Sequence, residues 1–336
     1  MESSIPLSKK LKLEVLGILK AALAIPSTNT DFFLLTLIIS LPLFCFLIYY
    51  ESFLLDILLD IFTSIQALPA NHYYFNYFDY WPLGILVRLI PASLNQEFAF
   101  KLIRLSLLYL LPLHLLEFFI VLITVDLASK IYTREEERIT TLSVRELLRK
   151  PPINKDKLRS TFITSVCVLF FSTSTLLGLL WLVVNYYVYW ENFFYDVLFA
   201  VLYGAAFLAL LGKYLEWSAL WNMSLVISIL EDAYGVEALA LAAYFNRGSE
   251  KRGLLLMLVF LVWGVVLRLP CLFLGIFGSS DGGYGIVLQV FLLCLGNVFK
   301  WVACMIYYYD SKQRILEKKV DEETGLELKQ LTDECS

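Results

Sequence analysis

From Phe32 to Tyr50 the chain runs for nineteen residues without a charge, FFLLTLIISLPLFCFLIYY. As a helix rising about 1.5 Å per residue, such a run nearly covers the roughly 30 Å of hydrocarbon in a bilayer. A lipid interior offers backbone groups no water, so an isolated run of this kind has to close its hydrogen bonds within itself, as a helix. Comparable runs follow at about 105–128, 162–184, 194–230, 254–277 and 286–308. The composition agrees: 59% hydrophobic and 17% charged residues lie outside the usual range of soluble domains. The expected fold class is therefore all-α, a polytopic transmembrane helical bundle of six spans with amphipathic interfacial helices.

The expected organisation has three parts: a segment at 1–30 with an amphipathic helix, a membrane domain at 31–310, and a charged tail at 311–336. In the first part Lys9, Lys10, Lys12 and Lys20 alternate with Leu11, Leu13, Val15, Leu16, Ile18, Leu19 and Leu23. That spacing suits a helix lying in the headgroup plane, stopping near Pro26-Ser27. The first apolar run is too long for a cleaved signal and lacks a small-x-small site, so it is expected to remain as an anchor. Glu2 and the position of Cys335 match no lipidation motif. Residues Phe53 to Phe62 recur around Asp56 and Asp60 as a separate amphipathic helix, and the aromatic run His72–Trp81 is expected at the headgroup level. Ser143 and Glu146 have capping-box spacing, predicting a helix from Val144 that stops before Pro151-Pro152. The mixed-charge tail is expected to extend the last helix and then lose order.

Basic residues set the orientation. Lys and Arg cluster in the N-terminal segment, in the loops after spans two and four and in the tail, and are sparse in the other loops. The positive-inside rule then places both termini in the cytosol. Each odd-numbered span also follows a short amphipathic stretch and a polar breaker: Leu11–Ile25 with Pro26, Val144–Leu148 with Pro151-Pro152, Val236–Tyr244 with Asn246-Arg247-Gly248. We read this as three units, each a surface helix followed by a transmembrane hairpin.

The clearest copy contains Glu231-Asp232-Ala233-Tyr234-Gly235-Val236-Glu237-Ala238-Leu239 and then Leu241-Ala242-Ala243-Tyr244-Phe245-Asn246-Arg247-Gly248. It resembles the E-x-x-x-G-x-x-A-L-x-x-S-x-x-L-x-x-G signature of a membrane domain often fused, in bacteria, to glycerophosphodiester phosphodiesterases. Ala243 departs from the small or hydroxyl residue favoured there. The stretch Ile18 to Pro42 is similar to a family of plant polytopic integral membrane proteins of unassigned function. The resemblance implies a structural motif at Glu231, Asp232, Gly235, Ala238, Arg247 and Gly248, and no catalysis, because the phosphodiesterase half supplies the metal ligands in the fused proteins. Independently, Glu231 can make surface contacts, Gly235 suits a turn, and Ala238, Ala240, Ala242 and Ala243 allow close helix packing.

Only two histidines are present, His72 and His114, and no GxSxG, P-loop or HExxH motif occurs. No catalytic residue, cofactor or metal site is expected. The six cysteines form no CxxC pair and are expected to act as small buried apolar groups. Lys213 and Glu216, three apart, can pair on one helix face, and Asn222-Met223-Ser224 is a chance glycosylation match in apolar surroundings. Charges in hydrocarbon are costly and tend to pair or line a wet path, which leaves Glu117, Lys300 and Arg268 as a candidate polar pathway. Arg268, near the outer end of its span, is also explained by snorkelling. The expected function is a non-enzymatic multi-pass protein of the endoplasmic reticulum or plasma membrane, engaged in membrane organisation, lipid interaction or trafficking. The alternative is a transporter or channel for a small solute or ion using the intramembrane charges. Membrane lipids and other membrane proteins are the expected partners; the absence of a strongly basic domain argues against nucleic acid.

Overall fold

A computed structural model describes the backbone of residues 14–66, 95–136, 155–192, 197–276 and 282–334. The described residues contain helices and no strand. They are α1 Val15–Thr28, α2 Thr30–Gln66, α3 Asn95–Leu108, a wide π-turn at Tyr109–Leu113, α4 His114–Glu136, α5 Lys155–Asn192, α6 Val197–Leu230, α7 Val236–Asn246, α8 Glu250–Ile276 and α9 Gly282–Glu334. Among them, five stretches are long and apolar enough to cross a membrane: Thr30–Asp60, Phe100–Thr133, Lys157–Val183, Glu250–Pro270 and Gly285–Val320. The remaining expected span is α6, an apolar helix of 34 residues in which Lys213 and Glu216 pair at 2.7 Å.

Two local expectations differ from what is found. Phe53–Phe62 does not form a separate helix but continues α2, since neither Gly nor Pro interrupts Tyr50 to Gln66. The tail remains helical to Glu334, because the stretch after Tyr309 is rich in Glu, Lys and Leu and free of Pro. The aromatic run at 72–81 and the helix expected from Val144 lie outside the described residues. Among the cysteines, Cys294 and Cys304 are buried, whereas Cys167 is half-buried and Cys45 is exposed on the outer face of α2, where lipid would meet it.

The helices pack in two layers. Spans α4, α6 and α9 form an inner trio in mutual contact, and α2, α5 and α8 lie outside them, each in a hairpin with its successor. The inner helices show no amphipathic stripe where they meet. Every residue from Trp221 to Ile229 and from Trp301 to Tyr308 is buried, as is most of Ile120 to Ile131. All-round burial is what an apolar helix surrounded by others requires.

Each outer helix enters the bundle with the same burial phase: Phe32, Leu35 and Thr36 in α2, Thr161, Thr164 and Ser165 in α5, Gly253, Leu256 and Met257 in α8. The surface helices agree as well. In α1 the buried positions are Ile18, Ala22, Ile25 and Pro26, and in α7 they are Ala238, Ala242, Phe245 and Asn246, the same i, i+4, i+7, i+8 spacing. The same burial phase thus recurs in the three outer helices and in the two surface helices among the described residues.

The motif between α6 and α8 is held against the middle of α9. Glu231 accepts hydrogen bonds from Tyr308 Oη and, at 2.5 Å, from Lys312 Nζ. Gly235 has φ 58°, a conformation that L side chains resist, and its N–H donates to Thr164 Oγ1 at 2.8 Å. Ala238 and Ala242 are fully buried, but Ala240 and Ala243 face outward, so only half of the alanine set packs. Asn246 Oδ1 accepts from Tyr307 Oη at 2.5 Å. Asp232 stands in the open, 3.8 Å from Lys157.

Candidate functional site

The pattern of contacts between outer and inner helices is broken at one place. Outer helix α2 packs on both α4 and α9, and α8 on both α9 and α6, but the backbone of α5 runs along α6 and stays apart from α4, which it meets through side chains. A cavity of about 190 Å³ lies in this gap, walled by α4, α5, α6 and α9. Glu117 of α4 and Lys300 of α9 both line it, so the structure brings together the two deepest charges of the expected pathway.

Polar groups from every wall converge here. His114, Tyr109, Ser165, Ser172, Tyr214, Ser218 and Asn222 accompany the two charges, with Trp221 and Trp301 as aromatic surface. Lys300 Nζ sits 4.7 Å from the centre of the Trp301 ring, a cation–π contact that steadies an ammonium away from bulk water. Among the described residues Glu117 makes no ion pair, and Lys300 is the cationic residue that shares its cavity.

Local sequence explains why the walls stand where they do. The hydroxyl stripe of α5 uses each of its three buried members: Thr161 Oγ1 donates to Ser228 O at 3.0 Å, Thr164 Oγ1 receives the Gly235 N–H, and Ser165 Oγ lies 2.9 Å from His114 Nε2 in a hydrogen bond. These bonds fix α5 to α6, to the motif turn and to α4, and the T-shaped pair Phe118–Phe162 closes the same edge. On α4, Pro112 lacks an N–H and its ring crowds the preceding turn, and the π-turn at Tyr109–Leu113 absorbs both effects. Such a turn resets the phase of the helix and often marks a functional stretch. Here it places Tyr109 and His114 on the cavity wall.

Arg268 does not reach this cavity. Its Nη2 lies 2.6 Å from Glu51 Oε1 and its Nε 3.2 Å from the same oxygen, while Gln289 Nε2 donates to Glu51 Oε2 at 3.2 Å. The cluster borders a separate, mostly apolar cavity of about 240 Å³. Sequence reasoning missed Glu51 as a site residue, having ended the first span one residue before it, at Tyr50. The available signal was Arg268 itself, since an arginine in an apolar segment calls for a carboxylate.

The structural-motif residues Glu231, Asp232, Gly235, Ala238, Arg247 and Gly248 lie at the α6–α7–α8 turns, outside this cavity. They connect to it through Thr164, which receives the Gly235 N–H one residue before the cavity-lining Ser165. Comparisons with protein-family models, with curated proteins and with solved structures find no match for this chain.

Proposed function

We propose that this multi-pass membrane protein binds a small zwitterionic solute between Glu117 and Lys300 and carries it across the bilayer. The observation that carries this reading is the unpaired pair: a carboxylate and an ammonium share one cavity, without an ion pair among the described residues. Each charge costs about 3 kcal/mol at the centre of a spanning helix. Direct pairing would offset part of that cost; two charges that line one cavity without pairing leave one site of each sign for a ligand carrying both. At roughly 30 Å³ per water, a cavity of about 190 Å³ has room for a solute of amino-acid size. The surrounding hydroxyls and His114 orient such a solute, and Trp301 and Trp221 cover its apolar part.

A second reading, membrane organisation through lipid contact, is favoured by α1, which keeps Leu16 and Leu23 exposed beside Lys20 while its other face packs inward. The basic loops argue for cytosolic termini, and the endoplasmic reticulum or the plasma membrane is the proposed location. The resemblance of the motif to the phosphodiesterase-fused membrane domain adds a scaffold role for the stretch from Glu231 to Gly248.

Purified protein in proteoliposomes, tested for uptake of a mixture of radiolabelled amino acids, provides the test. Losing a hydrogen bond to a charged group costs roughly 1.5–3 kcal/mol, so Glu117→Gln and Lys300→Met are each expected to lower uptake about ten- to a hundredfold. Uptake equal to that of empty liposomes, or unchanged in both variants, contradicts the proposal.

A further inference from the structure

The turn that joins α7 to α8 lies against α9 just beyond the buried run Trp301–Tyr308, from Ser311 onward, and the two enclose a small pocket of about 70 Å³. Its lining includes Arg247, Arg252, Arg314 and Lys318, together with the hydroxyl-bearing Ser249 and Ser311. None of its lining residues is acidic. One carboxylate stands behind it: Asp310 Oδ2 is 2.6 Å from Arg252 Nη1 and 2.8 Å from Arg314 Nε, which holds both guanidinium groups in place. Among the described residues four cations meet this one carboxylate, and Arg247 and Lys318 bring further positive charge to a space that fits a single tetrahedral oxyanion.

The backbone leaves this space open. Gly248 has φ 77°, and a Cβ there would point at Lys318 Nζ, 3.7 Å away, so a side chain would narrow the gap that the glycine keeps. The pocket also lies at a defined depth. The apolar run of α8 begins at Gly253-Leu254, one residue after Arg252, which puts the cations at the boundary between hydrocarbon and water. Guanidinium forks match phosphate oxygens two at a time, and an ammonium adds a point charge.

We propose that Arg247, Arg252, Arg314 and Lys318 form a binding site for a phosphate monoester at the membrane surface, separate from the Glu117–Lys300 cavity. A terminal phosphate, with up to two negative charges and three free oxygens, uses all four cations; a phosphodiester offers one charge and fewer oxygens. The monoester belongs either to a phospholipid headgroup or to a soluble phosphate, and the site recognises the chemistry common to both.

The full-length protein in nanodiscs separates these sources. Three additions are compared by a binding titration: phosphatidylinositol 4-phosphate in the disc, phosphatidylinositol in the disc, and inorganic phosphate in solution. Wild type is expected to prefer the monoester lipid over phosphatidylinositol by about tenfold or more, and Arg247→Gln and Lys318→Gln each to lose about tenfold. Lys318→Arg retains binding, and Lys319→Gln, whose ammonium lies over the Tyr244 ring outside the pocket, leaves it unchanged. Pocket-dependent binding of inorganic phosphate without a lipid preference upholds the site and assigns it to a soluble ligand. Equal binding of the two lipids with no response to inorganic phosphate, or wild-type binding by Arg247→Gln and Lys318→Gln, overturns the proposal. Since neither residue lines the Glu117–Lys300 cavity, this outcome is independent of solute uptake.

Discussion

Arg268→Met is expected to destabilise the protein by about 3 kcal/mol, because removing one partner of a buried ion pair strands the other charge. Glu51 is 4% exposed and keeps only the Gln289 amide once the guanidinium is gone. The pair joins α2 to α8, helices at opposite ends of the sequence, so the loss is a loss of tertiary structure. Arg268 is partly exposed at the rim, which argues for the lower end of the effect measured for buried pairs. Glu51→Gln together with Arg268→Met removes both charges and restores most of the stability. Reversible unfolding in mixed micelles measures the three variants. A double variant no better than Arg268→Met alone means that the two side chains contribute separately.

Gly253→Val is expected to disrupt the junction of α6, α8 and α9. A Cβ built on Gly253 falls 2.9 Å from Ala219 Cβ and 2.9 Å from Tyr307 Oη. Tyr307 cannot swing aside without losing its bonds to Asn246 Oδ1 at 2.5 Å and to Ser249 O at 3.0 Å. Overpacking a site like this costs about 1–3 kcal/mol for a small intrusion, and valine adds two methyl groups to the first. Gly253→Ala is thus the milder case, and Tyr307→Phe in the same chain relieves part of its strain by removing the oxygen. Gly204 and Gly212 are the comparison: both lie in α6 with nothing within 4 Å of an added Cβ, and alanine there is neutral or mildly stabilising. A thermal melt of the Gly253 and Gly204 variants side by side decides whether close approach, rather than glycine flexibility, governs this helix.

Much of this fold is legible in the sequence because the bilayer restricts the choices. Uncharged runs such as Phe32–Tyr50 have one stable form in hydrocarbon, and the repeat of surface helix, breaker and span shows in the order of residues. The role of Gly235 as a turn residue is likewise a local property and is visible without coordinates. Glu117 and Lys300 stand out because charge in an apolar run is rare. What they share is not visible: they lie on different helices, and only the gap between α4 and α5 turns two isolated charges into one site. Long-range partners remain hidden for the same reason. Glu51 with Arg268, His114 with Ser165, and Glu231 with Tyr308 each depend on helix phase and crossing, which periodicity in a nearly all-apolar sequence hardly encodes. Even the continuity of α2 escapes a reading that ends a span where charge begins, since a helix continues through Asp56 and Asp60 once its other face is packed.

The central claim is that Glu117 and Lys300 face a cavity reached by water inside the membrane domain, and thiol labelling tests it directly. In full-length protein with its six native cysteines replaced, Ser218→Cys and Ser172→Cys place a thiol on the cavity wall, and Leu177→Cys places one on the outer face of α5. A small charged methanethiosulfonate applied to the protein in liposomes is expected to modify the two cavity positions and spare position 177. Modification at position 177 alone, or at none of the three while the unfolded protein labels fully, contradicts a water-reached cavity and with it the solute site built on Glu117 and Lys300.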